Sequence, residues 1–153
     1  MIVLRALFAA LVICGGLVIA PAARADTDTP IGTWLRADGR TVFVIDYCNL
    51  GLCGRIAGMT FDHPTDPEPV DWRGQPLCND VIIAVTPEYG TRDKWHGSIV
   101  NPKNGNVWQA TLTLVNGTLQ LRGYFGVPLF GKTETWTRFS GQIGANCHLT
   151  AAE

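Results

Sequence analysis

Between Val107 and Arg138 the chain reads VWQATLTLV, Asn116-Gly117, TLQLRGYFG, a short apolar turn and then GKTETWTR. Apolar and polar residues alternate with a period of two on both sides of the Asn-Gly pair. A type I′ turn needs positive φ at both central positions, and Asn-Gly meets that need at little cost, so the segment is read as a β-hairpin. Asn116-Gly117-Thr118 also matches a glycosylation sequon, but the turn already accounts for those residues.

The same alternation recurs upstream. Strands are expected at Gly32 to Arg36, Thr41 to Cys48, Leu52 to Phe61, Asp80 to Thr86, Lys94 to Val100, Val107 to Val115, Thr118 to Phe125 and Glu134 to Phe139. Asp38-Gly39, Glu88-Tyr89-Gly90 and Asn101-Pro102-Lys103-Asn104-Gly105 supply turn chemistry between them. Trp108, Ala110, Leu112 and Leu114 share one face, as do Leu119 and Leu121, Phe43, Ile45 and Tyr47, and Leu52, Gly54, Ile56 and Gly58. A sheet of about eight strands with one apolar face has two edges to hide, and closing into an up-and-down barrel removes both. A two-sheet sandwich is the competing architecture. Gly54, Gly58, Gly97 and Gly123 suit strand positions where a small barrel bends.

Two stretches interrupt the rhythm. Asp62 to Pro76 carries Pro64, Pro67, Pro69 and Pro76, which cannot serve a central strand, and is read as a surface loop or lid. Pro128-Leu129-Phe130-Gly131 is expected to hold at most one helical turn.

Met1 to Ala25 has the plan of a secretory signal, with Arg5 before an apolar run from Ala6 to Ala20 and Ala23-Arg24-Ala25 as a cleavage site. Pro21 ends a run short for a bilayer span, which disfavours an uncleaved anchor. Ile13 before Cys14 disfavours lipidation. A single mature domain over residues 26–153 is then expected in the periplasm or outside the cell, with no stable membrane insertion. Its 128 residues carry 10 basic and 13 acidic side chains, a net of −3, which gives no basic footprint for nucleic acid or an anionic membrane surface.

Four cysteines remain. Cys48 and Cys53 flank a turn-like tetrapeptide between two strands, so Cys48–Cys53 and Cys78–Cys147 are the expected disulfides. Closing the longer loop contributes about 4 kcal/mol and the shorter about 2 kcal/mol. Zinc is the rival use of these thiols, but the spacing lacks paired Cys/His ligands.

Several motifs together resemble one family. They are C-x4-C-G-R-I at Cys48 to Ile56, Pro76-Leu77, W-x-G at Trp95 to Gly97, the Asn101 to Gly105 turn, R-G-Y-x-G from Arg122 and F-G-K-T-x-T-W-T-R ending at Arg138. This ordered set is similar to the DUF2147 family of bacterial exported proteins. The resemblance implies a lipocalin-like barrel in the periplasm with no assigned activity. Cys78 and Cys147 look like additions to the family pattern. Gly32-Thr33-Trp34 and Arg138 also resemble the lipocalin arrangement in which an arginine of the last strand lies over a first-strand indole and seals the barrel base. The alternative is that Trp34 and Arg138 never meet.

No catalytic apparatus is visible. His63, His96 and His148 form no metal-binding pair, Ser98 and Ser140 sit in no nucleophile elbow, and Asp62, Asp66, Glu68 and Asp71 read as a solvated acidic run. The expectation is a non-enzymatic protein without metal or cofactor. Arg122, Tyr124 and Glu134 interrupt apolar strands, with Arg122 facing outward. Barrels of this size either fill with side chains or hold one small ligand. The first expectation is therefore a carrier of a small apolar or amphipathic molecule, lined by Phe43, Ile45, Ile56, Trp108, Leu112, Leu121 and Phe125 and gated by the prolines near Asp66. The second is an envelope interaction module with a filled interior, using the 62–76 loop or Trp72 toward an unidentified protein partner.

Overall fold

The structure is a computed structural model that describes residues 29–49, 51–63 and 65–149. The expected signal segment and Pro64 lie outside the described residues. Eight strands follow in order: β1 (Gly32–Leu35), β2 (Thr41–Cys48), β3 (Gly51–Met59), β4 (Val81–Pro87), β5 (Lys94–Val100), β6 (Val107–Val115), β7 (Thr118–Tyr124) and β8 (Lys132–Arg138). Each pairs antiparallel with its neighbour in sequence, and β8 returns to β1 through Trp34↔Arg138 and Leu35↔Thr137. The molecule is thus a closed up-and-down barrel, and the sandwich alternative is ruled out. Among the described residues no helix is long and apolar enough to cross a membrane.

Local chemistry accounts for the strands. At the β6–β7 hairpin Asn116 (φ 48°) and Gly117 (φ 76°) both adopt positive φ, the pair of values a type I′ turn requires. β2, β5 and β6 have the bounds expected from alternation. β3 ends at Met59 rather than Phe61, because Thr60 donates its N–H to Arg40 O and turns away. β8 starts at Lys132 rather than Glu134, because Gly123 offers it a partner. The register slips between Val42 and Phe43 opposite β3 and between Gly54 and Arg55 opposite β4, and such bulges let the successive residues Ile82 and Ile83 both be buried. The single helical turn expected after Pro128 is a 3-10 turn over Pro128–Phe130.

The C-terminal tail is docked. Leu149 donates its N–H to Met59 O at 3.0 Å, and the His148 ring stacks on Phe61 at 3.7 Å. Gly58 has no room for a side chain, since a Cβ there would lie 2.4 Å from Leu149. Cys147 is buried and bonded to Cys78, and Cys48 is bonded to Cys53, with Cα separations of 5.6 and 5.7 Å. Both pairings are those expected from the sequence.

Candidate functional site

The two ends of the barrel are built differently. At the β6–β7 end, Trp34 is completely buried and its Nε1–H donates to Pro30 O at 2.7 Å. The Arg138 guanidinium lies 4.0 Å from the Trp34 ring centroid and donates to Ile31 O at 2.6 Å and to Thr29 O. The two residues are direct cross-strand partners. The cation shields the indole face, and the carbonyls it binds tie down the segment entering β1, so this end is plugged.

The opposite end, where β1 leads to β2, β3 to β4, β5 to β6 and β7 to β8, opens into a cavity of about 640 Å³. That lies within the range of small-molecule sites. Its wall is mostly apolar, with Phe43, Ile56, Ile82, Ile99, Trp108 and Leu121, and Phe43 stacks flat on Trp136 at 4.4 Å. One side is polar. Arg36 donates to both oxygens of Glu134, from Nε to Oε2 at 2.8 Å and from Nη2 to Oε1 at 2.6 Å, while its Nη1 lies 3.3 Å from Asp38. Those hydrogen bonds outweigh the opposing effect of burial and hold the Glu134 carboxyl below the usual carboxylate range. Trp136, almost fully buried, lines the same cavity; among the described residues none accepts its Nε1–H with good hydrogen-bond geometry, but the indole donor faces Glu134 and helps keep that carboxylate charged.

Of the residues expected to line a cavity, Phe43, Ile56, Trp108 and Leu121 do so. Ile45 and Leu112 point inward but belong to the filled half below the cavity, where each is packed against the core. Phe125 lies outside the cavity, because β7 ends at Tyr124 and Gly126 (φ 76°) turns the chain, so alternation no longer carries Phe125 inward. Arg122 does face out, fastening the Pro128 and Leu129 carbonyls. Arg36 and Trp136 were not singled out, although counting by twos from Trp34 and from Glu134 reaches both.

The 62–76 loop, expected to gate the cavity, contributes no described residue to its wall, whereas Leu77 just beyond it does. The loop is fastened at Asp71, whose buried carboxylate accepts from the backbone N–H groups of Arg73 and Gln75 and from Arg73 Nε. Asp71 is therefore no member of a solvated acidic run. Trp72 is engaged as well, donating its backbone N–H to Pro102 O, resting over Gly105 and carrying Arg73 at 4.4 Å. Burial opposes the Asp71 charge, but the N–H donors and the guanidinium outweigh it, so its pKa is lowered. A carboxylate with a lowered folded pKa stabilises the fold above its ordinary pKa, and that contribution is lost as pH falls through the folded value. The urea midpoint is accordingly expected to drop from about pH 5 to about pH 2. Asp71→Asn should lower the midpoint at neutral pH and flatten this acid limb; an unaltered limb in both Asp71→Asn and Glu134→Gln would contradict the assignment.

The sequence profile of a family of uncharacterized proteins conserved in bacteria, DUF2147, matches residues 32–138. Among solved structures, protein HP1028 of Helicobacter pylori, described as belonging to the lipocalin family, superposes with a TM-score of 0.58 at 15% identity over 72% of this chain and 82% of that one. At that identity the likeness concerns the fold, which is lipocalin-like. No curated protein matches the sequence.

Proposed function

The chain belongs to the DUF2147 family, and we propose from its own cavity that it is an exported, non-enzymatic binding protein for a small amphipathic molecule. The observation that carries this reading is a cavity of about 640 Å³, apolar on most sides, with Arg36, Glu134 and the Trp136 indole N–H on the remaining one. An apolar body fits against Phe43, Ile56 and Leu121, and a polar group fits beside Arg36 and Glu134 on the other wall. Two disulfides and the signal-like N-terminus support export to an oxidising compartment. The filled interaction module has less support, since its interior is open and Trp72 rests against the Asn101 to Gly105 turn.

Gly123 provides the test. It lines the cavity with an unstrained φ, and a Cβ there would meet nothing nearer than Ile99 Cγ2 at 3.8 Å, so a side chain can be added without moving backbone. Gly123→Leu should project into the cavity and weaken binding of an apolar fluorescent probe by about tenfold or more, with little change in unfolding midpoint. Native mass spectrometry of protein taken from the periplasm should show a co-purifying mass in the parent and none in the variant. Parent protein that is always empty and binds no probe would overturn the reading.

A further inference from the structure

The loop from Phe125 to Gly131 at the rim of the cavity holds four large apolar side chains in the open. Phe125, Leu129 and Phe130 are 79, 80 and 81% exposed, and Val127 is exposed too. A flexible loop could fold such groups away, but this one is braced. Arg122 donates from Nε and Nη2 to Pro128 O at 2.9 and 2.6 Å and from Nη1 to Thr133 Oγ1 at 2.7 Å. Phe130 and Gly131 donate their N–H groups to Val127 O and Pro128 O within the turn. A rigid protrusion of rings and a leucine presented to water marks an interaction surface.

Charge at this end of the barrel identifies the partner. Asp38 and Glu134 are paired with Arg36, Asp62 with Arg40, and Asp66 accepts the His63 backbone N–H. Glu68 accepts the Cys78 N–H. Lys103 and Lys132, on the cavity rim beside the loop, have no ion pair among the described residues. Asp66 and Glu68 keep their charge on the 62–76 loop, so the mouth as a whole is not basic; the cations that stand beside the apolar loop are the two lysines that share its rim with Phe130. Apolar side chains that enter the headgroup boundary, flanked by cations that meet phosphates, are the features of a peripheral lipid-binding element.

We propose that the Phe125–Phe130 loop docks the barrel, cavity mouth first, onto an anionic lipid surface. Phe125 and Leu129 enter the headgroup boundary, and Lys103 and Lys132 face the phosphates. The inference stands on the loop and its charges, independently of whether the cavity holds a ligand.

The test is cosedimentation of the protein, as processed by an exporting bacterium, with vesicles of phosphatidylglycerol and phosphatidylethanolamine. Parent protein should pellet with these vesicles, less so at high salt and less so with phosphatidylcholine alone. Replacing Phe125→Ser and Leu129→Ser together, both outside the cavity lining, should reduce vesicle affinity by about tenfold or more. Tyr89→Ser, which removes an exposed ring from the opposite end of the barrel, should leave it unchanged. Apolar-probe binding in the same double variant separates this inference from the cavity reading, because docking can be lost while probe binding is retained. Parent protein that stays in the supernatant, or a double variant that pellets equally well, would overturn docking. Self-association that the double substitution abolishes, without vesicle binding, would overturn it in favour of a protein contact.

Discussion

Trp34→Ala is expected to cost about 3–5 kcal/mol of folding stability, the largest effect of any single substitution considered. The indole is completely buried, its N–H is committed to Pro30 O, and its face carries the Arg138 guanidinium. Removing it opens a cavity at the plugged end, strips the cation of its ring and frees the segment that Arg138 holds through Ile31 O and Thr29 O. It also weakens the β1–β8 seam, which consists of only two register pairs, one of them Trp34↔Arg138. Equilibrium denaturation gives the loss directly. A double-mutant cycle with Arg138→Ala should return a coupling of about 0.5–2 kcal/mol for the ring and cation. A Trp34→Ala loss below about 1 kcal/mol would show that the base is not sealed in this way.

Removing the Cys78–Cys147 disulfide by paired alanine substitution is expected to cost about 4 kcal/mol, against about 2 kcal/mol for Cys48–Cys53. The difference follows from sequence separations of 69 and 5 residues, because the longer link restricts the unfolded chain far more. The native state adds a second consequence. Cys147 and Asn146 both sit at positive φ (59° and 53°), an unfavourable backbone conformation that the bond and the Leu149–Met59 contact hold in place. Without the bond the tail should release, and amide exchange at His148 and Leu149 should accelerate along with that of Met59. Urea unfolding of the two variants settles the ranking; a greater loss from the shorter link would contradict the chain-entropy account.

Much of the barrel was legible in the chain, and particular residues show why. Trp108, Leu112 and Leu121 face inward because a strand's side chains alternate whatever lies beyond it. Phe125 shows where that logic stops: the alternation continues on paper, but Gly126 ends the strand. The tail around His148, which carries no alternating pattern, gave no sign that it would dock against Met59. Asp71 looked like one acid among several until two backbone N–H groups and Arg73 closed around it.

The sequence by itself determined the antiparallel strands, the turn at Asn116-Gly117, the apolar face of each strand and the parity of the thiols, because each depends on residues near one another in the chain. Only the tertiary structure decided that β8 closes on β1, that Arg36 meets Glu134 from 98 residues away, and that one half of the barrel is filled while the other is open. Those outcomes depend on which side chains reach the barrel axis at the same level. Strand register and tilt set that level jointly across the whole closed sheet, and no stretch of sequence carries it alone.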